Sequence, residues 1–343
     1  MRALFFIMAN KNLSAAKAAK NDEFYTLLTD VSEELKHYRE HFRDKVVFCN
    51  CDDPTYSAFW QYFHLNFEKL GLRKLISTHY DKTQPTYKIE YAGGDDGNIE
   101  AGIITPLEGN GDFRNAECIE LLKEADIVVT NPPFSLFREY VTQLMEYGKK
   151  FVIIGNMNAI TYKEFFPLLK ENKVWLGYRG NTPMTFRMPD YYELKGTSFI
   201  GADGHKYAKM GSCTWYTNLD ISKRHEPLIL WKQYTQEEYP KYDNYDAINV
   251  DRVSEIPCDY DGVMGVPITF LDKYCPEQFE IVGQGQGNLY RLLTEKGLSQ
   301  QFVDDYYKSG QTGSIKENHP VLGYYSASGK PVIPYMRILI RRK

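Results

Sequence analysis

The stretch that most constrains the fold is Ala125-Asp126-Ile127-Val128-Val129-Thr130-Asn131-Pro132-Pro133-Phe134. Ile127 to Thr130 is a β-branched run without polar alternation, the pattern of a strand covered on both faces, and such strands belong to parallel sheets sandwiched by helices. The two prolines cannot continue a ladder, so the strand ends at Asn131. Each proline biases the residue before it toward extended backbone, which aims the Asn131 side chain and the Pro132 carbonyl through stiff chain. An amide oxygen beside a backbone carbonyl offers two acceptors to the two donors of one NH2 group. Phe134 adds a flat apolar face. This set predicts attack by an exocyclic amine whose lone pair is pulled out of conjugation, with no covalent intermediate and no strong base. A plain strand-to-loop turn would use the same letters, since Asn-Pro is a common turn signal.

The flanking periodicity lays out an α/β pattern. Residues 45–50 read as a first buried strand, 55–70 as a helix, 72–78 as a second strand and 87–105 as an edge hairpin around Gly93-Gly94-Asp95-Asp96-Gly97. Helices over 115–124 and 136–147 bracket the Asn131 strand, and a strand over 151–155 follows. A helix over 164–171 and an antiparallel pair over 174–178 and 211–218 close this part. Residues 30–42 read as a helix with Val31, Leu35, Tyr38 and Phe42 on one face. It contains His37-Tyr38-Arg39-Glu40-His41, a zinc signature in letters only; no metal is expected, because the remaining motifs form a coherent set without one. From residue 220 the periodicity weakens and Tyr, Pro and Gly rise, which suggests a smaller α+β region. Gln284-Gly285-Gln286-Gly287 imitates a cofactor loop, but no acid follows at the spacing such a loop requires, so it reads as an ordinary loop.

Asn131-Pro132-Pro133-Phe134 is the form a catalytic motif takes in amino-methyltransferases, and the chain resembles the EcoRI-type DNA adenine-N6 methyltransferase family. The resemblance runs through Asn21-Asp22-Glu23-Phe24-Tyr25-Thr26, Val46-Val47-Phe48-Cys49-Asn50-Cys51-Asp52-Asp53-Pro54, Gly111-Asp112-Phe113 and Gly262-Val263-Met264-Gly265-Val266-Pro267 on to Tyr274. It covers nearly the whole chain, and the stretches Cys51-Asp52-Asp53-Pro54 and Gly262-Val263-Met264-Gly265-Val266-Pro267 are more specific to this branch than the Asn-Pro-Pro-Phe motif. It implies a Rossmann-like class I methyltransferase sheet with a smaller C-terminal α+β target-recognition region. The expected division is a basic arm over 1–20, a catalytic domain over 21–219 and a recognition region over 220–343. Asn131, Pro132 and Phe134 are the expected catalytic residues. The methyl donor implied is S-adenosylmethionine, with Tyr25, Thr26, Cys51, Asp52, His79, Tyr80, Asp112, Phe113 and Asn131 expected around it.

Two departures accompany the resemblance. The turn at Cys51 to Pro54 lacks the glycine-rich loop usual in methyltransferases, and acids there suit a cationic sulfonium ligand better than a phosphate cradle would. His79 stands where an acid for the ribose hydroxyls is expected, so Tyr80 is read as a stacking side chain and Asp81 as a substitute acceptor. Asp112 follows small, flexible residues and is the expected acceptor for the cofactor's adenine amino group.

A formal charge of −4 gives a nucleic-acid binder no positive support, so the distribution decides. Residues 1–20 carry four basic and no acidic side chains, 163–232 carry 11 against 7, 233–280 carry 3 against 11, and 281–343 carry 9 against 4. Charge is therefore segregated, and phosphate contacts need only a local basic patch. Arg179, Arg187, Lys195, Lys206 and Lys209, interleaved with Phe186, Tyr191, Tyr192 and Tyr207, are the expected DNA contacts, and double-stranded DNA is the expected partner. Ordinary solvated faces would show a similar mixture. The six cysteines include no Cys-x-x-Cys pair, and the opening apolar run is too short for a membrane span. A cytoplasmic, monomeric enzyme is expected, with Met8 as an alternative start. It would act in restriction–modification beside an endonuclease that shares its site without a stable complex, or as an orphan. The competing readings are the same chemistry on RNA or on a protein glutamine amide, and a DNA-binding protein without turnover.

Overall fold

The computed structural model describes residues 25–51, 53–81, 84–286, 297–315 and 320–343. The expected basic arm over 1–20, Asp52 and Gly287 lie outside the described residues. The chain divides into two compact units, one of residues 1–160 with 174–221 and one of residues 161–173 with 222–343.

The first unit holds two sheets. Its strands are β1 (Tyr25–Thr26), β2 (Val46–Cys49), β3 (Lys74–Thr78), β4 (Tyr87–Tyr91), β5 (Ile103–Pro106), β6 (Ile127–Thr130), β7 (Lys150–Asn156), β8 (Trp175–Leu176), β9 (Met184–Arg187), β10 (Ser198–Ile200), β11 (Lys206–Met210) and β12 (Cys213–Thr217). Among the described residues the larger sheet has eight strands in the order β5-β4-β3-β2-β6-β7-β12-β8. Its middle, β3-β2-β6-β7, is parallel. The hairpin β4-β5 extends one edge and β12-β8 the other, both antiparallel. Every residue of β2 and β6 is buried, as their unbroken apolar runs require.

Helices α1 (Leu28–Leu35), α2 (Arg39–Phe42), α3 (Ala58–Leu65), α4 (Phe67–Leu70), α5 (Ala116–Glu124) and α6 (Phe137–Glu146) connect these strands. The expected helix over 55–70 starts later, at Ala58. Ser57 caps it, its Oγ accepting from Phe59 N and Trp60 N at 3.2 Å. Asn66 interrupts it before α4, and Gly71 ends α4 in left-handed backbone. The helix over 30–42 contains a 3-10 turn at Lys36–Tyr38, so the two histidines of the zinc-like pentapeptide lie on different segments. His37 stacks on Tyr178 at 3.3 Å, and His41 Nε2 meets the Asp220 carbonyl at 2.7 Å.

The second sheet, ordered β1-β9-β11-β10, was not legible in the sequence, which read this region as a basic surface stretch. Its inner face buries Phe186, Met184 and Ala208, with Phe186 and Met184 in one core cluster with Val31, Leu35, Phe59 and Trp215. The second unit contains α7 (Phe166–Lys170) and α8 (Gln300–Lys308). Its four-stranded sheet has the order β13-β14-β18-β15, with strands β13 (Ala247–Asn249), β14 (Val263–Pro267), β15 (Phe279–Gln284) and β18 (Arg337–Arg342); β16 (Tyr324–Tyr325) and β17 (Pro331–Val332) form a ribbon. The last strand, β18, lies between β14 and β15, with Ile338, Leu339 and Ile340 buried. No helix among the described residues is long and apolar enough to cross a membrane.

Candidate active site

Chain direction decides where a site can form on the larger sheet. From β2 the chain moves outward to β3, whereas β6 lies on the other side of β2 and leads outward to β7. The order therefore reverses between β2 and β6, and the crevice beyond the carboxyl ends of such neighbours is where open α/β sheets bind ligands. Asn131 follows β6 directly, and Cys51 follows β2 by one residue.

The two strand ends are tied together. Thr130 Oγ1 donates to the Asn50 carbonyl, and Tyr140 OH, from α6, donates to Asn50 Oδ1. All three residues are buried, so Asn131 leaves a fixed point. Beyond it Pro132 is buried, and Pro133 accepts from Leu136 N at 2.9 Å as Phe134–Leu136 form a 3-10 turn. The Asn131 side-chain oxygen is buried although the residue as a whole is half-buried. Phe134 is half-buried and rests against the core cluster that holds Met184, Phe186 and Trp215.

On the β2 side the turn is built around Asp53, which here serves the turn and its neighbours. Cys51 adopts left-handed backbone at φ 64°. Asp53 Oδ1 accepts from Thr55 N at 2.9 Å, Thr55 Oγ1 at 2.7 Å and Tyr87 OH at 3.2 Å, and Oδ2 lies 3.3 Å from His79 Nε2. Burial, reinforced by the Asp53 carboxylate, pushes the Tyr87 hydroxyl up to about 12. The signal was present: Asp followed two residues later by Thr is an Asx-turn pattern. His79 thus carries an acid by its side in place of being one. Its Nδ1 and the Oγ1 atoms of Thr78 and Thr26 are buried polar atoms with no hydrogen-bond partner among the described residues. Buried groups of this kind normally find partners, so these three fit a polar ligand.

The remaining expected cofactor residues fall into two kinds. Gly111 (φ 73°) lets its loop approach so closely that a Cβ there would sit 2.1 Å from the His79 carbonyl, and Asp81 N donates to the Asn110 carbonyl at 3.2 Å. The Asp112 loop is therefore locked beside His79 and Tyr80. Asp112 itself grips Arg114, through Nη2 to Oδ2 at 2.6 Å and Nε to Oδ1 at 2.8 Å, so its carboxylate is already charge-paired. Phe113 is buried edge-on to Tyr140 at 5.0 Å, so its ring belongs to the packing. Tyr25 meets Tyr56 edge-on at 4.8 Å, and Tyr80 is exposed.

The expected DNA contacts also separate. Arg179 is taken by Asp30, Nη1 to Oδ1 at 2.9 Å, and is a structural residue. Lys206 Nζ donates to the carbonyls of Asp190 and Tyr192 at 2.6 and 2.7 Å, holding the loop before β10. Lys195 pairs with Glu193 at 2.8 Å in solvent. Arg187 and Lys209 are exposed on the second sheet, and Arg187 Nη2 reaches His205 Nδ1 at 3.1 Å. Among the described residues no group of three or more His, Cys, Asp or Glu side chains is placed to hold a metal ion.

A family model described as adenine-specific methyltransferase EcoRI matches residues 12–343. The chain belongs to that family. It is 50% identical over 306 residues to the Type II methyltransferase M.EcoRI of Escherichia coli, covering 84% of this chain and 92% of that protein. To M.MpnI of Mycoplasma pneumoniae it is 42% identical over 272 residues, covering 78% and 83%. To M.MgeORF184P of Mycoplasma genitalium it is 40% identical over 277 residues, covering 79% and 85%. No solved structure gives a significant match. Membership makes this an adenine-specific methyltransferase.

Proposed function

We propose that the chain is a site-specific DNA methyltransferase that moves a methyl group from S-adenosylmethionine to N6 of an adenine turned out of double-stranded DNA. The observation that carries this reading is the position of Asn131-Pro132-Pro133-Phe134 at the carboxyl end of β6, where the strand order reverses beside β2. On this reading the larger sheet is Rossmann-like, and the unit containing residues 222–343 contributes to target recognition.

S-adenosylmethionine supplies an electrophilic methyl group on a sulfonium. The residues to hold it are those of the β2 and β3 ends: His79, braced by Asp53, with Thr78, Tyr80 and Asp112. Among the described residues His79 Nδ1 and Thr78 Oγ1 are buried without a hydrogen-bond partner, and with the tight Gly111 approach they fit a polar ligand there. The Asn131 amide oxygen and the Pro132 carbonyl would accept the two N6 protons, drawing the nitrogen toward tetrahedral geometry so that its lone pair points at the methyl. Phe134 would stack on the base. Extruding a paired adenine costs a few kcal/mol, and aromatic stacking worth roughly 1–3 kcal/mol offsets part of that. The rest of the rate comes from orientation.

The direct test is methylation-sensitive long-read sequencing of DNA from cells that express the chain. N6-methyladenine confined to one short sequence motif is expected, and an unmodified genome from cells making folded protein would overturn the reading. For the cofactor side, Asp112→Ala is expected to weaken S-adenosylmethionine binding by about 1–3 kcal/mol, the cost of leaving a buried donor without its acceptor. Because Asp112 already pairs with Arg114, Arg114→Ala is the control. If calorimetry finds the Asp112→Ala affinity unchanged, the adenine of the cofactor lies elsewhere.

A further inference from the structure

The sheet β1-β9-β11-β10 has a buried face and an open one. Opposed partners across a sheet project to the same side. Tyr25 opposes Arg187, Arg187 opposes Tyr207 and Tyr207 opposes Phe199, so the four form one row across all four strands. Their in-strand neighbours Thr26, Phe186 and Ala208 are buried, which turns the row outward. Arg187 and Phe199 are exposed, Phe199 to 45%, and Tyr25 and Tyr207 are half-buried. At the usual strand spacing the row is about 14 Å long.

The row is also braced. Tyr207 OH donates to Asp203 Oδ2 at 2.5 Å, and His205 N donates to Oδ1 of the same acid at 3.1 Å. Gly201 leaves room for the Tyr207 ring, which a Cβ there would approach to 2.6 Å. Phe199 stacks on Tyr207 with centroids 5.7 Å apart and planes 26° from parallel. Two rings, a guanidinium and a third ring thus sit side by side before any ligand arrives.

Charge selects the occupant. Arg179 and Lys195 are neutralised by Asp30 and Glu193, and Lys206 is used on carbonyls. Arg187 and Lys209 share the open face, since Lys209 opposes Thr185, two residues along β9 from Arg187. Among the described residues neither forms an ion pair, and the Asp203 carboxylate in the turn between β10 and β11 is occupied by Tyr207 and His205. Flat rings with uncompensated cations suit bases that have left the stack together with their phosphates.

We propose that this face is a stacking platform for the partner base left unpaired when the target adenine has been extruded. The proposal rests on the DNA reading above and deepens it. Its link to the catalytic loop is the core cluster beneath the sheet, which holds Phe186 and Met184 and against which Phe134 rests. A platform there would hold the opened strand while the adenine occupies the Asn131 site.

The test compares wild type with Phe199→Ala, Phe199→Trp and the double variant Arg187→Gln/Lys209→Gln. Fluorescence anisotropy would follow binding to the methylation-site duplex and to the same duplex with a mismatch at the target adenine; calorimetry would follow S-adenosylmethionine binding, and thermal melting the fold. Phe199→Ala is expected to lose about tenfold or more in affinity for the mismatched duplex. Phe199→Trp should keep it, with cofactor affinity and melting unchanged in both. The double variant should lower the salt dependence of DNA binding by about two phosphate contacts. Wild-type affinity and salt slope in both the alanine and the double variant would overturn the platform. If the wild type itself neither binds nor methylates DNA, the DNA reading fails instead, so the two failures are distinct.

Discussion

Replacing Asn131 by alanine is expected to slow methyl transfer by about 10²–10³-fold, the usual loss when one preorganised polar group is removed from a reacting centre. One acceptor, the Pro132 carbonyl, would remain, and a single acceptor cannot fix both N6 protons or the direction of the lone pair. The surroundings should survive. Thr130 and Tyr140 tie the strand ends through Asn50 rather than Asn131, and Pro132 and Pro133 continue to stiffen the loop. Melting temperature, cofactor affinity and DNA affinity are therefore expected to stay near wild type, with the loss confined to the single-turnover rate. Wild-type turnover in this variant would dismiss the paired-acceptor mechanism. Loss of cofactor binding together with turnover would show that Asn131 serves the cofactor instead.

What could be read in the sequence follows physical lines. The buried parallel strands announced themselves through unbroken apolar runs at Val46 and Ile127, and the prolines after Asn131 marked the carboxyl end of the second run. The hairpin at the sheet edge was legible because a glycine-rich turn separates two apolar segments. The sheet β1-β9-β11-β10 was not. Its strands are three to five residues long apart from β1, which has two, and Tyr25 pairs with Arg187 across more than half of that unit's length. A register set by such distant partners leaves no local signal. The same limit explains Arg179. Its charge reads as a nucleic-acid contact until the fold brings Asp30 beside it. It also explains His79, which looked like a substitution for an acid and instead has the acid Asp53 beside it.

Glu34→Ala is expected to be the most destabilising single change in the first unit, by about 3–5 kcal/mol, as when one member of a buried charged network is removed. Glu34 is fully buried on α1. Its Oε1 accepts from Tyr38 OH at 2.7 Å and Tyr178 N at 2.7 Å, and its Oε2 accepts from Arg179 N at 2.8 Å. Gly177 makes this approach possible, because a Cβ there would lie 2.3 Å from Oε1. One turn earlier Asp30 binds the Arg179 guanidinium and accepts from Thr185 N at 3.1 Å, so α1 fastens the chain between β8 and β9 with two carboxylates. Alanine at 34 would strand two backbone N–H groups and a hydroxyl, each worth about 1–3 kcal/mol when buried without an acceptor. For a unit of roughly 200 residues this corresponds to a fall in melting temperature of about 6–20 °C. Glu34→Gln keeps one acceptor oxygen and should fall between. The pH dependence has a definite sign. Burial first, and the Glu34 charge second, hold the Tyr38 hydroxyl well above the ordinary tyrosine range. A raised folded value means stability that is complete below the unfolded value of about 10 and lost as pH rises above it. Wild type should therefore melt earlier at alkaline pH, and Glu34→Ala should show a smaller alkaline loss from its lower starting point. A melting temperature for Glu34→Ala within a degree or two of wild type would mean that water or a rearranged loop satisfies the three donors, and that α1 does not hold the second sheet in place.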